Sequence, residues 1–177
     1  GTTFTENSVS GYADKNDGNG EGGGAIYVGY GKLTLTDATA TNNTASDFGG
    51  GVDAVDADVI INGGTFSGNT TISGGAIYAV TKSALTIDNA TFTGNDASYG
   101  GAIVLNSSNA DITKSTFSNN SSYLGGAIQN TKGILNIADS VFTENKKGQK
   151  TGGHSYQDHH RNQDDLIHFQ PSFPSFS

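Results

Sequence analysis

The chain has 177 residues, of which 33% are hydrophobic, and its formal net charge is −8. This acidic balance excludes the Lys/Arg patch that neutralises phosphates, so we expect no nucleic-acid partner. The absence of cysteine excludes disulfides and thiolate metal sites within the chain, and no apolar run is long enough to predict a membrane-spanning segment.

A unit of 25 or 26 residues recurs along the chain. It carries Gly-Gly-Ala-Ile near one end and Phe-x-x-Asn near the other. The apolar position after the glycine pair recurs at Ile26, Val52, Ile77, Ile103 and Ile128. Phe-x-x-Asn begins at Phe4, Phe66, Phe92, Phe117 and Phe142. A fixed period of this size indicates stacked supersecondary units.

Taken in chain order, each unit contains short segments in which apolar and polar residues alternate. In one unit these segments are 76–80, 85–87 and 90–93, separated by Asn, Asp, Gly and Ser. Alternation with period 2 predicts strands, and the intervening residues favour turns. We therefore predict an all-β solenoid: a single-stranded parallel β-helix of ~25-residue coils with three strands per coil, the architecture also used by pectin-lyase-like enzymes.

Stacking of coils at about 4.8 Å would place like residues on like residues. The columns predict a core of Ile and Phe, an asparagine ladder, and glycine pairs that allow a tight bend or positive φ. Ala40 takes the Phe position of one unit, which predicts a local void or a repacked neighbour.

Gly-Gly-Ala-Ile alternating with Phe-x-x-Asn resembles the repeat pair of the chlamydial polymorphic outer-membrane proteins and related adhesin-like β-helix repeats. The resemblance covers roughly residues 1–145. It implies a right-handed parallel β-helix that is secreted as an autotransporter-like passenger, displayed at the cell surface and often involved in adhesion. We expect it to be anchored at the outer membrane by segments outside this chain.

The pattern predicts a repeat array over residues 1–145, with a loop insertion at about 8–22. Residues 146–177 leave the pattern, and we predict that this tail is disordered or follows a reading-frame slip, with 154–177 contributing no coil. Because Phe4–Asn7 is already the end of a repeat, we expect the chain to be a piece of a longer protein.

Acidic residues concentrate near the first two coils. Asp53 is predicted to point outward from its strand, and the acidic patch consists of Asp14, Asp17, Glu21, Asp47, Asp53, Asp56 and Asp58. The patch is interpreted as a solvated acidic face, with a calcium or other cation site and a carboxylate pair for sugar hydrolysis as alternatives. No catalytic residue and no cofactor is predicted.

Three functions are compatible with this pattern. The first is a non-catalytic adhesin-like passenger whose partner is a host-cell, matrix or glycan ligand. The second is a polysaccharide-binding or polysaccharide-cleaving β-helix enzyme, and the third is a structural spacer of a large surface protein. Because a fold alone does not fix a function, the choice depends on the side chains that the coils leave outside the core.

Overall fold

The computed structural model describes residues 1–10, 22–147 and the backbone of 167–170. The described residues form short β-strands and contain no helix. The first two strands are β1 (Thr3–Thr5) and β2 (Ser8–Val9). No helix in this part of the chain is long and apolar enough to cross a membrane.

Five coils follow, each built from four strands. The first contains β3 (Ile26–Gly29), β4 (Lys32–Thr36), β5 (Thr39–Thr41) and β6 (Thr44–Ala45). The second contains β7 (Val52–Val55), β8 (Asp58–Asn62), β9 (Thr65–Ser67) and β10 (Thr70–Ser73). The third contains β11 (Ile77–Val80), β12 (Ala84–Asp88), β13 (Thr91–Thr93) and β14 (Asp96–Tyr99). The fourth contains β15 (Ile103–Asn106), β16 (Asn109–Thr113), β17 (Thr116–Ser118) and β18 (Ser121–Leu124). The fifth contains β19 (Ile128–Thr131), β20 (Leu135–Ala138), β21 (Val141–Thr143) and β22 (Lys146–Lys147), and β23 (Ile167–Gln170) comes after it.

Equivalent strands of successive coils pair in parallel and form four sheets. Sheet A contains β1, β5, β9, β13, β17 and β21, and sheet B contains β2, β6, β10, β14, β18 and β22. Sheet C contains β3, β7, β11, β15, β19 and β23, and sheet D contains β4, β8, β12, β16 and β20. Ile77 pairs with Val52 on one side and Ile103 on the other, as the repeat requires. The fold is a right-handed parallel β-helix, which confirms the predicted class.

The prediction of three strands per coil was wrong, because sheet B supplies a fourth. Its inward positions include Thr71, Ala97 and Ser122, which are small or polar. These strands therefore lack the alternation of large apolar and polar residues by which strands are recognised in sequence. Parallel pairing with neighbouring coils, and not local hydrophobicity, defines sheet B.

Columns of identical side chains fill the narrow core. Phe66, Phe92 and Phe117 are fully buried, and the rings of successive coils stack at centroid distances of 4.7–5.0 Å, with Phe142 at the end of the column. Offset stacking of aromatic rings adds to the free energy gained by burying them. Ala40 is also buried, and the void predicted beside it stays a prediction.

The asparagine ladder is present and has a direction. Asn95 donates from its backbone N to Asn120 Oδ1 at 3.1 Å and from Nδ2 to the same atom at 2.9 Å. Its Nδ2 also donates to Phe66 O at 3.0 Å. In turn Asn95 Oδ1 accepts from the backbone N and the Nδ2 of Asn69. Each rung therefore satisfies buried polar groups of two coils at once.

The glycine pair makes the corner between sheets B and C. Gly74 has φ +69°, and a Cβ on it would overlap the carbonyl oxygen of Ile77. A Cβ on Gly75 would overlap the carbonyl of Gly101 in the next coil. The first glycine is required for its left-handed backbone, and the second for the close approach of two coils.

The boundaries of the array differ from the predicted ones. Ser8 and Val9 pair with Thr44 and Ala45, so the array includes the start of the predicted insertion. Strand β22 extends the array to residue 147, and β23 pairs with Ile128–Thr131. One short part of the tail thus joins sheet C, whereas no residue of 154–177 was expected to contribute to a coil.

The ladder gives a direct stability test. Asn95→Ala removes four side-chain hydrogen bonds from a fully buried site. At about 1 kcal/mol net per bond, we expect the free energy of unfolding to fall by about 3–4 kcal/mol, measured by urea denaturation followed by circular dichroism. Asn62→Ala, at the exposed end of β8, is the control and should change the midpoint little. Equal shifts in the two variants would contradict a stabilising role for the ladder.

Candidate functional site

The outward side of sheet C carries residues that differ from coil to coil. One column on this side contains Tyr27, Asp53, Tyr78, Val104 and Gln129. Strand β7 alternates as expected: Val52 and Ala54 face the core, and Asp53 faces away from it. Yet all four residues of β7 are buried. An acidic side chain therefore lies on the outer face of a sheet without being exposed to solvent.

Asp53 was predicted to belong to a solvated acidic face, and for this residue that interpretation was wrong. Its relative exposure is 1%. Gly22 packs so closely that a Cβ there would overlap Asp53 Oδ2. Among the described residues, Asp53 Oδ1 has no hydrogen-bond partner. A buried carboxyl with an unpartnered oxygen is costly in its ionised form.

Desolvation by burial raises the pKa of Asp53 from 3.8 to about 7. The carboxyl therefore holds its proton far above the pH at which an exposed aspartate loses it. Near neutral pH it is poised between an OH donor and a carboxylate acceptor, which is the property required of a general acid or base.

Tyr78 lies next to Asp53 in the following coil. Its ring stacks on Phe48, with centroids 4.5 Å apart and planes at 25°. Burial raises the pKa of the Tyr78 hydroxyl, a hydrogen bond with the Asn106 side chain lowers it, and the nearby Asp53 charge raises it again. The phenol and the carboxyl are thus close enough to interact electrostatically.

The other described members of the predicted acidic patch lie outside the strand that carries Asp53. Asp47 is half-buried at the corner before β7, and its Oδ2 accepts a hydrogen bond from Ser46 Oγ at 3.1 Å. Asp56 follows β7, Asp58 begins β8, and both are exposed. Within the described residues, no three His, Cys, Asp or Glu side chains are grouped closely enough to hold a metal ion. Asp14, Asp17 and Glu21 lie outside the described residues, so the calcium alternative stays a prediction.

The corner between sheets B and C carries large side chains on its surface. We call this set the corner face; its members are Phe48, Ile72, Tyr78, Tyr99 and Tyr123. Phe48 forms a bridge with Ser73, which pairs with Tyr99, so the set spans consecutive coils. Ile72 is 46% exposed and Tyr99 is 40% exposed. The Lys147 Nζ lies 6.0 Å from the centroid of the Tyr123 ring, near the outer limit of a cation–π contact.

Comparison with known families agrees with this geometry. The family described as right handed beta helix region matches residues 1–163. The chain therefore belongs to the right-handed β-helix family. The curated proteins and the solved structures gave no match to this chain.

The sequence predicted the column that contains Asp53. It predicted neither the burial of Asp53 nor the corner face. The signal for the corner face was a change of residue type at a fixed position: Ser73 holds this position in one coil, Tyr99 holds it one coil later, and Leu124 holds it two coils later. Because sheet B itself was not predicted, these residues could not be placed on a common surface.

The protonation of Asp53 makes stability depend on pH. Its folded-state pKa of about 7 lies above the unfolded value of 3.8. Between these values the unfolded chain loses the proton while the folded chain keeps it, so stability falls as pH rises and the loss is complete above pH 7. The shift corresponds to about 4 kcal/mol.

Asp53→Asn removes this ionisation. We expect the variant to be more stable than the natural chain by about 2–4 kcal/mol at pH 8 and to show little gain near pH 4, measured as urea midpoints across this range. Asp58→Asn, at an exposed position, is the control and should not reproduce this trend. A gain that is the same at pH 4 and pH 8 would show that Asp53 does not titrate in this window.

Proposed function

We propose that the chain is a surface-exposed, non-catalytic, adhesin-like repeat passenger that binds a glycan or a protein of a host cell or matrix through the corner face. The observation that carries this proposal is the exposure of large apolar side chains on consecutive coils at one corner. Ile72 and Tyr99 are 46% and 40% exposed there. Contiguous exposed apolar groups are typical of interaction surfaces, and tyrosine is enriched in them.

The repeated residues support this assignment because the scaffold uses them. Ile77, Phe92 and Asn95 are fully buried in the core or the ladder. Their side chains are not available to a partner. Binding therefore depends on positions that vary between coils, and the corner face contains several large side chains at such positions.

Rigid presentation is the physical advantage of the fold. Each corner-face residue lies on or beside a strand that is paired on both sides, as β10 is with β6 and β14. Side chains held in this way lose little conformational entropy on binding. Their spacing along the solenoid is fixed at about 4.8 Å per coil, which suits an extended polymer or a flat protein surface.

A second candidate, polysaccharide cleavage, is favoured by Asp53. A carboxyl whose pKa is raised to about 7 resembles the general acid of a glycosidase, which needs a second carboxylate about 5–10 Å away. Asp53 is 1% exposed, so a polymer cannot reach it in the described arrangement. We therefore place this candidate second.

Substitution of the corner face tests the adhesin proposal. The purified chain is applied to host cells, immobilised matrix proteins and a glycan array. We expect binding to at least one of these, and we expect Ile72→Ser combined with Tyr99→Ser to weaken it at least tenfold, because two exposed apolar contacts are lost.

Tyr30→Asn is the matched control, since Tyr30 is 73% exposed but lies between β3 and β4, away from the corner face. It should bind like the natural chain. Loss of binding in this control as well would contradict binding through the corner face. No binding by the natural chain across all three supports would contradict the proposal and favour the spacer function. Release of reducing sugar ends from a polysaccharide, abolished by Asp53→Asn, would favour the enzyme.

A further inference from the structure

One column on the outer side of sheet B alternates large and small side chains. Ile72, Ser98 and Tyr123 are its members in the second, third and fourth coils, as the register of the three strands requires. The preceding residue of each strand is buried, so these side chains point away from the core. The small serine between two large side chains leaves a groove across the sheet, which we call the Ser98 groove.

The walls of the Ser98 groove are two strand spacings apart. With about 4.8 Å between neighbouring strands, Ile72 and Tyr123 are separated by about 9.6 Å at the backbone. A ring that stands over Ser98 is therefore about 4.8 Å from each wall. Because a saturated ring is puckered, its atoms then approach the walls at the usual carbon–carbon contact distance of about 3.5–4.0 Å. The groove has the width of one six-membered ring.

The aromatic wall presents the face of its ring to the groove. Lys147 belongs to the next coil, and its Nζ lies over the Tyr123 ring, 6.0 Å from the centroid. The ammonium group therefore occupies the side of the ring that is turned away from Ser98. The opposite ring face carries the negative potential of the π system. It is directed toward the groove, where it attracts the weakly positive C–H groups of a saturated ring.

A row of hydrogen-bonding groups runs beside the groove. Thr70, Asp96 and Ser121 pair in successive coils, each two residues before a member of the groove. Ser121 Oγ donates to Asp96 Oδ1 at 2.8 Å. The exposed carboxylate can accept further hydrogen bonds from a ligand. Two residues along a strand span about 6.6 Å, so the hydroxyl groups of a ring in the groove come within reach of Asp96.

Charge restricts the class of ligand. The chain has a net charge of −8, and the Asp96 carboxylate lies beside the groove. Both disfavour a sialylated or sulfated glycan, because like charges repel. The ligand must therefore combine a ring with C–H groups on its faces and uncharged hydroxyl groups on its edge. An uncharged pyranose has both properties.

We propose that the Ser98 groove is a subsite for one pyranose ring of an uncharged glycan. Tyr123 and Ile72 pack against the two faces of the ring, and Asp96 accepts hydrogen bonds from its hydroxyl groups. The inference rests on the proposed function of the corner face and names the class of its ligand. Tyr99 follows Ser98 on the corner side and is 40% exposed, so it contacts the next sugar unit of the chain.

Filling the groove tests the proposal. The purified chain is applied to an array of uncharged, sialylated and sulfated oligosaccharides, and the affinity of the best uncharged ligand is measured by isothermal titration calorimetry. Ser98→Leu closes the groove, and we expect it to weaken this binding at least tenfold. Ser67→Leu makes the same change at a half-buried outward position of sheet A and should bind like the natural chain. Circular dichroism melting checks that both variants keep the fold.

A second variant removes the charge and keeps the shape. Hydrogen bonds to a carboxylate are stronger than those to a neutral amide, so we expect Asp96→Asn to lower the affinity for the same oligosaccharide about fivefold. Asp111→Asn is the matched control. Asp111 is also exposed on a strand, and it accepts one hydrogen bond from the next coil, donated by Asn136 Nδ2 at 2.8 Å. This control should bind like the natural chain.

The outcomes separate the subsite from the adhesin function. Leucine at position 98 enlarges the exposed apolar surface, so a protein partner of the corner face would still bind Ser98→Leu. Binding to cells or matrix proteins without binding to an uncharged oligosaccharide overturns the subsite and leaves the proposed function intact. The subsite is also overturned if Ser98→Leu binds the oligosaccharide as tightly as the natural chain, or if only sialylated or sulfated glycans bind. A natural chain that binds neither glycans, proteins nor cells overturns both proposals.

Discussion

The structure depends on parallel pairing between coils, which places equivalent residues above one another. Because backbone hydrogen bonds fix the separation of coils at about 4.8 Å, each side chain meets its own counterpart in the next coil. A column can persist only where like packs favourably on like. Phenylalanine rings stack at 4.7 Å, and asparagine both donates to and accepts from asparagine.

Much of this architecture was predictable because the register between coils requires similar residues to recur at a fixed spacing in the sequence. A fixed spacing of Ile77, Phe92 and Asn95 with their counterparts identifies the coil, the core and the ladder. Sheet B has no such recurring apolar position, since its inward residues Thr71 and Ser122 are polar. Those strands form because both neighbouring coils pair with them, and pairing between distant segments is not visible in a local pattern.

The position of Asp53 in the fold was predictable from the sequence, whereas its burial was not. Alternation along β7 correctly places Asp53 on the outer side of sheet C. Its burial depends on Gly22 and on the rest of its surroundings, contacts that no local pattern specifies. The raised pKa is a consequence of that burial. The repeated residues stabilise the scaffold. Positions that depart from the repeat, such as Asp53 and Tyr99, can therefore carry a function.

Register between coils specifies this fold, and a pair of deletions separates its effect from that of chain length. Thr86 pairs with Asp111 in the next coil, so deletion of 86–110 removes one whole coil and joins Leu85 to Asp111 with the inward and outward faces kept. Deletion of 86–111 removes one residue more and reverses the faces of the strand. Thermal unfolding followed by circular dichroism should show a cooperative β-sheet transition for the first deletion and its loss for the second. Equal transitions in the two deletion variants would show that the fold does not depend on the register between coils.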